Sequence, residues 1–274
     1  IGTIRIVKQI GNGGSAHVYA GKDESNGEFY AVKSIYHDKD DIKLKRATRL
    51  EAGLHARVRD HPNIIELERI IRSESSDWTH LIMEYGAQGD LYSAITEKDL
   101  YCGNHVLIRN VFLQLIDSVI HCHENGVFHR DLKPDNVMVF DGGKTVKLAD
   151  FGLATTDTSS HDYGCGSTIY FSPECQGGLT YSRQPKPYAT APNDVWALGV
   201  ILINLTTGRN PWKQACLEDE NFRAFLFDPN FLHNLLLISS ELNSILKRIF
   251  CIDPAQRITL YELRERIVHC KYFT

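Results

Sequence analysis

The chain has 274 residues, 43% of them hydrophobic and 23% charged, with a formal net charge of −4. This is the composition of a folded domain large enough for one sizeable core or two lobes. The slight acidity argues against a nucleic-acid binder, and the longest apolar run, Val195 to Ile203, is far too short to span a bilayer.

Residues 3–10 alternate in the manner of a half-buried strand, and Tyr19-Ala20-Gly21-Lys22 continue as a second one. Between them lies Gly11-Asn12-Gly13-Gly14-Ser15-Ala16-His17-Val18. Its glycines let the backbone turn sharply and set N–H groups against a phosphate. A plain Gly-rich hairpin is the competing reading. Phe29 to Ile35 predicts a third strand, whose period of two puts Ala31 and Lys33 on one face and Tyr30, Val32 and Ser34 on the other. Residues 41–58 predict a helix with Ile42, Ala47, Leu50, Leu54 and Val58 near one stripe, and Glu51 beside it.

Strands are expected at Ile64–Ile71 and Thr79–Glu84, joined by the turn-like Ser73-Glu74-Ser75-Ser76-Asp77. Strand-rich chain gives way to helix-rich chain between Tyr85 and Gly89, which divides the molecule into lobes at 1–85 and 86–274. Asp90 stands where a helix N-cap would. Residues 104–124 predict a long helix with Val106, Leu107, Val111, Phe112, Leu115, Val119 and Ile120 as its apolar positions. His121 and His123 at its end are two apart and point to different faces, the wrong spacing for a helical metal pair.

The densest chemistry follows, in His129-Arg130-Asp131-Leu132-Lys133-Pro134-Asp135-Asn136. An Asp suits the receipt of a hydroxyl proton, a Lys the holding of a phosphate, and an Asn the holding of a metal. Val137–Phe140 and Thr145–Ala149, joined by Asp141-Gly142-Gly143-Lys144, predict a hairpin that leads to Asp150-Phe151-Gly152. These runs, with Gly11, Gly13 and Val18 against G-x-G-x-x-G-x-V, Ala31-Val32-Lys33, and Ser172-Pro173-Glu174, resemble the catalytic domain of eukaryotic protein kinases. The resemblance covers the whole chain.

It implies an α+β, bilobal protein kinase fold: a small antiparallel-sheet N-lobe with one main helix, and a larger, mostly helical C-lobe. It implies ATP and Mg²⁺ as cofactors and proteins as substrates. Asp131 would orient the acceptor hydroxyl and take its proton, and Asp150 and Asn136 would hold Mg²⁺. Lys33, oriented by Glu51, would hold the α- and β-phosphates, and Lys133 would steady the γ-phosphate. Glu51 is the one acid between Asp41 and Asp60. Ile10, Gly11, Gly13, Val18, Ala31, Met83 and Met138 would surround the nucleotide, with Glu84-Tyr85-Gly86 as hinge and Asp90 near the ribose or a basic substrate residue. Lys133 and Ser167 favour Ser/Thr acceptors. Three departures stand out: Ala16 for the third glycine, His55 where an apolar residue is commoner, and Ser172 for Ala. The polar segment 153–171 offers Thr158, Ser159, Ser160 and Tyr163 as sites whose phosphate would pair with Arg130. Asp157 and Asp162 are the alternative source of that negative charge.

Residues 175–193 read as a loop holding Gly177, Gly178, Arg183, Pro185, Lys186, Pro187 and Pro192. Asn193 then opens a helix apolar enough to be buried all round, with Asp194 as its cap and, by the resemblance, a brace for the catalytic loop. Gly208 and Pro211 end it. Helices are expected at 218–227, 239–250 and 259–268, the last two capped by Ser239 and Thr259, with Thr259 to Glu262 in capping-box form. The resemblance also pairs Arg257 with Glu174.

Seven cysteines without a C-x-x-C indicate reduced thiols, hence cytoplasm or nucleus. No signal peptide is evident, and the sequence reads as a trimmed, monomeric domain with no membrane or nucleic-acid partner. Glu51 to His55, with Gly164 to Cys175, is similar to fungal Ser/Thr kinases of the Ran/Pat type. That finer likeness implies signalling in nutrient response and the restraint of mating and meiosis. The alternative is a nucleotide-binding pseudokinase scaffold, for which Ala16 and His55 leave room. Asp90 and Asp135 suit basic residues before the acceptor, whereas Asn204 is uncharged.

Overall fold

A computed structural model describes residues 1–13, 16–38, 40–72, 77–179 and 186–274. Gly14 and Ser15 of the Gly-rich stretch, Ser73 to Ser76, Arg183 and Pro185 therefore lie outside the described residues. Strands β1 (Ile4–Asn12), β2 (Ala16–Asp23), β3 (Phe29–Tyr36), β4 (Leu67–Arg72) and β5 (Trp78–Glu84) form one antiparallel sheet in the order β1-β2-β3-β5-β4. On β3 the pleat turns Tyr30 and Val32 into a cluster with Ile4 and Ile82, while Ala31 and Lys33 face the nucleotide side.

Two expectations for this sheet change. β1 is an outer strand, not a half-buried one: Ile4 is buried but Ile6, Val7 and Ile10 are exposed. Register shifts between Ile6 and Lys8 and between Gln9 and Gly11 break the alternation that burial would need. β4 starts at Leu67 rather than Ile64, because the residues before it serve another contact. Ile65 N donates to Leu148 O and Ile64 bridges Leu148 in parallel, which ties the sheet to the helical part of the chain.

Helix α1 (Ile42–Val58) is capped by Asp41, whose carboxylate accepts from Leu44 N. Its inward face is not the apolar stripe read from the sequence. Ile42, Ala47 and Leu50 are exposed, and Thr48, Glu51, Ala52, Leu54, His55 and Val58 are buried. Glu51 and His55 turn inward here because they have partners there.

The rest is mostly helical: α2 (Leu91–Thr96), α3 (His105–Glu124), α4 (Thr190–Thr207), α5 (Glu220–Phe227), α6 (Phe231–Leu236), α7 (Ser240–Ile249) and α8 (Leu260–His269). A hairpin of β6 (Val137–Phe140) and β7 (Thr145–Leu148) and a short pair, β8 (Ser159–Ser160) with β9 (Tyr188–Ala189), complete it. Asp90 caps α2 through Ser93 N, and Ser239 caps α7 through Leu242 N. α3 buries Ile108, Val111, Phe112, Leu115 and Val119, while Val106 in its first turn is exposed. α4 is buried along nearly its whole length and packs its Trp196 with Trp212, Phe222 and Phe250. A Cβ on Gly199 would have no room against Ile249, so that glycine sets how closely α4 approaches α7.

Five further readings are corrected. The loop after Glu174 closes earlier than expected, because Tyr188–Ala189 pairs with Ser159–Ser160 and α4 starts at Thr190. Asp194 consequently lies inside α4 instead of capping it. α5 begins at Glu220, with Asp219 as its cap. α6 was not anticipated, being only six residues long. The capping box of α8 is half made: Thr259 accepts from Glu262 N, but the Glu262 carboxylate goes to Arg248 and Arg266. The architecture is the expected bilobal α+β one. Among the described residues no helix is long and apolar enough to cross a membrane.

Candidate active site

Lys33 projects from β3 to the inward face of α1, and its Nζ lies 2.6 Å from Glu51 Oε1 and 2.9 Å from Asp150 Oδ1. Burial works against the charged amine, but the carboxylates of Asp150 and Glu51 outweigh it and hold Lys33 above the ordinary lysine value. For Glu51 burial wins, raising its carboxyl despite the Lys33 amine. For Asp150 burial is outweighed by Lys33, which keeps the carboxyl lowered. Three groups from β3, α1 and the end of the β6–β7 hairpin thus meet at one point.

The second cluster lies on the loop between α3 and β6. Lys133 Nζ donates to Asp131 Oδ2 at 2.8 Å and to Ser167 Oγ at 3.1 Å. Asn136 Nδ2 donates to Asp131 O at 2.8 Å and to Asp131 Oδ2 at 3.0 Å. The other carboxylate oxygen, Asp131 Oδ1, is buried and has no hydrogen-bond partner among the described residues. A Cβ on Gly166 would sit 2.8 Å from it, so the glycine keeps that oxygen clear.

The loop is held from below. Asp194, 0% exposed, accepts from His129 N at 2.9 Å, Arg130 N at 2.8 Å and His123 Nε2 at 2.9 Å. Arg130 and Asp150 both have left-handed backbone, with φ of 64° and 58°. Such conformations persist where surrounding contacts over-determine them. Phe151 packs under α1 with its ring 4.7 Å from His55 and 5.1 Å from His129. At the far end of the segment Arg257 meets Glu174 at 2.5 and 3.1 Å.

A cavity of about 410 Å³ opens between the sheet and the helical part, within the usual range for a small-molecule site. Ile10, Gly11, Val18, Ala31, Lys33, Met83, Glu84, Tyr85, Gly86, Asp90, Met138, Asn136 and Asp150 line it. Gly86 packs against Met138, which a Cβ there would approach to 3.1 Å. An adjoining cavity, lined by Gly11, Gly13, Lys33, Glu51, Lys133, Asn136 and Asp150, continues toward the loop between α3 and β6. Gly13 therefore lies on this second cavity and not on the first. Every sequence-derived site residue except Asp131 lines one or both, and Asp131 is bonded to Asn136 and Lys133, which do.

The oxygen donors suit a hard cation. The Asp150 side chain is 47% exposed, and the Asn136 amide spends its nitrogen on Asp131 while its oxygen accepts from no described residue. Carboxylate and amide oxygens are what Mg²⁺ takes alongside phosphate oxygens and water.

Three features escaped the sequence. His55 is 2% exposed and donates from Nε2 to Ile65 O at 2.6 Å. His123 bonds the buried Asp194. Lys147 on β7 holds the Glu84 carboxylate at 2.6 and 2.8 Å, pinning the hinge to the hairpin. The one available signal was Lys147 standing mid-strand opposite Met138.

The sequence matches the protein kinase domain family over residues 4–273. It is 47% identical, over 99% of this chain, to a negative regulator of sexual conjugation and meiosis from Schizosaccharomyces pombe, 61% of which is covered. It is 36% identical, over 82% of this chain and 50% of the relative, to the serine/threonine-protein kinase VHS1 of Saccharomyces cerevisiae. A third relative from that yeast, serine/threonine-protein kinase SKS1, is 35% identical over 82% of this chain and 46% of its own. The chain spans about half to three-fifths of the length of these relatives. With the match running nearly end to end, this chain belongs to the protein kinase family.

Proposed function

We propose that the chain is the catalytic domain of a serine/threonine protein kinase, which transfers the γ-phosphoryl group of ATP to a protein hydroxyl. The observation that carries this is the Asp131 carboxylate. One oxygen is fixed by Lys133 and Asn136, and the other is buried, unpartnered and kept open by Gly166. A hydroxyl that donates to Asp131 Oδ1 is oriented there and gives up its proton there as the new P–O bond forms. Lys33, positioned by Glu51, and Lys133 place fixed positive charge where negative charge gathers on phosphate oxygens. Mg²⁺ held by Asp150 and Asn136 supplies further charge neutralisation when bound. Met83, the hinge Glu84-Tyr85-Gly86 and Met138 enclose the base. Lys133 and Ser167 together shape the acceptor side for Ser or Thr.

The assay is transfer of radiolabel from MgATP to Ser, Thr and Tyr peptides, with Asp131→Asn as comparison. The variant should lose about 10²- to 10⁴-fold in turnover and keep nucleotide binding. Unchanged turnover would overturn the role of Asp131. Nucleotide binding without any transfer in the native chain would favour a pseudokinase scaffold.

The finer reading is a Ran/Pat-type kinase that restrains mating and meiosis in response to nutrients. The 47% likeness to a negative regulator of conjugation and meiosis supports it. The domain acts as a monomer in cytoplasm or nucleus on this reading. Inactivating Asp131 in the source organism should release conjugation or meiosis in rich medium, and no such release would remove the pathway assignment.

A further inference from the structure

Between β5 and α2 the chain crosses from the sheet to the helical part through Tyr85 to Gly89, which form neither helix nor strand. Gly86 and Gly89 are two of the five, and Gly89 has a φ of +86°. A crossing so poor in side chains has few contacts of its own, and its position depends on what holds its two ends. At the far end Val139 N donates to Gly89 O at 2.9 Å, and Lys98 Nζ donates to Gln88 O at 2.8 Å. At the near end the anchor is Glu84, the last residue of β5. Its carboxylate accepts from Lys147 Nζ at both oxygens, at 2.6 Å through Oε1 and 2.8 Å through Oε2. Oε2 also accepts from Glu66 N at 3.3 Å, and Glu84 N donates to Glu66 O at 3.0 Å.

Lys147 is placed by its own strand. It stands opposite Met138 in the β6–β7 register, which puts both side chains on one face of the hairpin. Met138 packs against Gly86 and lines the cavity, and the Lys147 ammonium lies 5.3 Å from the centre of the Phe140 ring. The side chains of Lys147 and Glu84 are only 22% and 26% exposed, so water and salt screen this pair less than an ion pair on the open surface. Glu84, Tyr85 and Gly86 line the cavity of about 410 Å³, and Lys147 does not. Its route to a ligand therefore runs through Glu84.

We propose, on the reading of this cavity as an ATP site, that Lys147 is a positioning residue for the nucleotide base. By holding the Glu84 carboxylate it fixes the main chain of Glu84-Tyr85-Gly86 at the edge of the base, and so it sets the affinity for adenine compounds without touching them. An ammonium shared by two carboxylate oxygens is a charge-assisted contact, stronger than the neutral hydrogen bonds that hold the far end of the crossing by Val139. Lys147 also stands three positions before Asp150, which opens a second route, through the proposed metal ligand. The geometry favours the first: the ammonium reaches Glu84, whereas the Asp150 carboxylate is engaged by Lys33 and by Gly152 N.

The test is Lys147→Met, which removes the ammonium and keeps the stem. Dissociation constants are read by calorimetry for MgATP and for adenosine, which has no phosphate and needs no cation. Both should bind about tenfold more weakly than to the native chain, by the same factor. KM for ATP should rise with them, while kcat at saturating MgATP changes by less than about twofold. Lys147→Arg, whose guanidinium can span the same two oxygens, should recover affinity to within about threefold of native. In a Glu84→Gln background Lys147→Met should add less than about twofold, since both changes break one contact. Native adenosine affinity in Lys147→Met, a loss confined to MgATP, or full additivity with Glu84→Gln would each overturn the proposal and leave the ATP reading standing. A native chain that binds neither MgATP nor adenosine would overturn both.

Discussion

The imidazole of His55 stacks on the ring of Phe151 at 4.7 Å and 30°, and so joins α1 to the residue that follows Asp150, the proposed metal ligand. An apolar side chain could fill this space. The histidine also donates to Ile65 O, just before β4, so one side chain ties three segments together. Its neutral state is a condition of that packing.

Burial pushes the His55 ring down to about 4, with the Ile65 carbonyl partly offsetting it. The unfolded chain, with an ordinary value near 6.5, therefore takes up this proton first. The stability gained by keeping His55 neutral is complete above about pH 6.5 and is lost as pH falls through about 4. It amounts to roughly 3 kcal/mol. Urea unfolding at a series of pH values between 7 and 4 should show the decline. His55→Leu should flatten it, at a cost of about 1–2 kcal/mol at pH 7 for the Ile65 carbonyl left without its donor. The same slope in the variant would assign the decline to another group.

Arg130 is served without phosphate. Its guanidinium donates to Leu153 O at 2.7 Å, Ser160 Oγ at 3.1 Å and Asp162 Oδ2 at 3.1 Å. Ser160 is buried and also accepts from Asp162 N, so it is not presented to a modifying enzyme, while the half-buried Tyr163 donates its hydroxyl to Lys186 O. Protein stripped by phosphatase should therefore remain active. Asp162→Asn should lower turnover only a few-fold and raise protease sensitivity near residue 162, because an exposed ion pair contributes about 0–1 kcal/mol. Complete inactivity after phosphatase treatment would return the role to Thr158, Ser159 or Tyr163.

Much of the site was legible because phosphoryl transfer fixes residue types at short spacings. Asp131, Lys133 and Asn136 lie within one loop, and Lys33 is placed by the period of its own strand. What connects distant segments was harder to read. α1 turns Glu51 and His55 inward against the apolar pattern, since Lys33 and Phe151 wait there. Local pattern made Asp194 look like a helix cap, and only the family resemblance pointed to its bracing of His129 and Arg130, because those partners and His123 stand more than sixty positions earlier in the chain. β1 misled in the opposite sense: alternation was present, but an outer strand with two register shifts has nothing to bury it.

The Lys33–Glu51 pair makes α1 part of the proposed catalytic apparatus. Glu51→Gln removes the charge that holds Lys33 on this side while keeping the side-chain volume. Lys33 would then lean on Asp150 alone, competing with the cation expected there. Turnover should fall by about 10²- to 10³-fold, as for loss of one fixed electrostatic contact. Mg²⁺ dependence should shift to higher concentration, read from a titration of initial rate. A variant with native turnover and native Mg²⁺ dependence would show that Lys33 needs no orienting acid.

Gly166 offers the sharpest test of the open Asp131 oxygen. Its φ of +114° disfavours a side chain, and a Cβ would lie 2.8 Å from Asp131 Oδ1 and 3.1 Å from the Phe171 ring. Gly178 is the control, with a similar φ of +91° but nothing within 4 Å of its would-be Cβ. Gly178→Ala carries the backbone strain without the obstruction. Gly166→Ala should lower kcat by about 10- to 100-fold, the scale of a small misplacement at the reacting group, and leave affinity for an ATP analogue unchanged. Gly178→Ala should keep kcat within about twofold, since strain away from the site costs stability rather than chemistry. Equal losses in the two variants would mean that strain in the segment, and not access to Asp131 Oδ1, sets the rate.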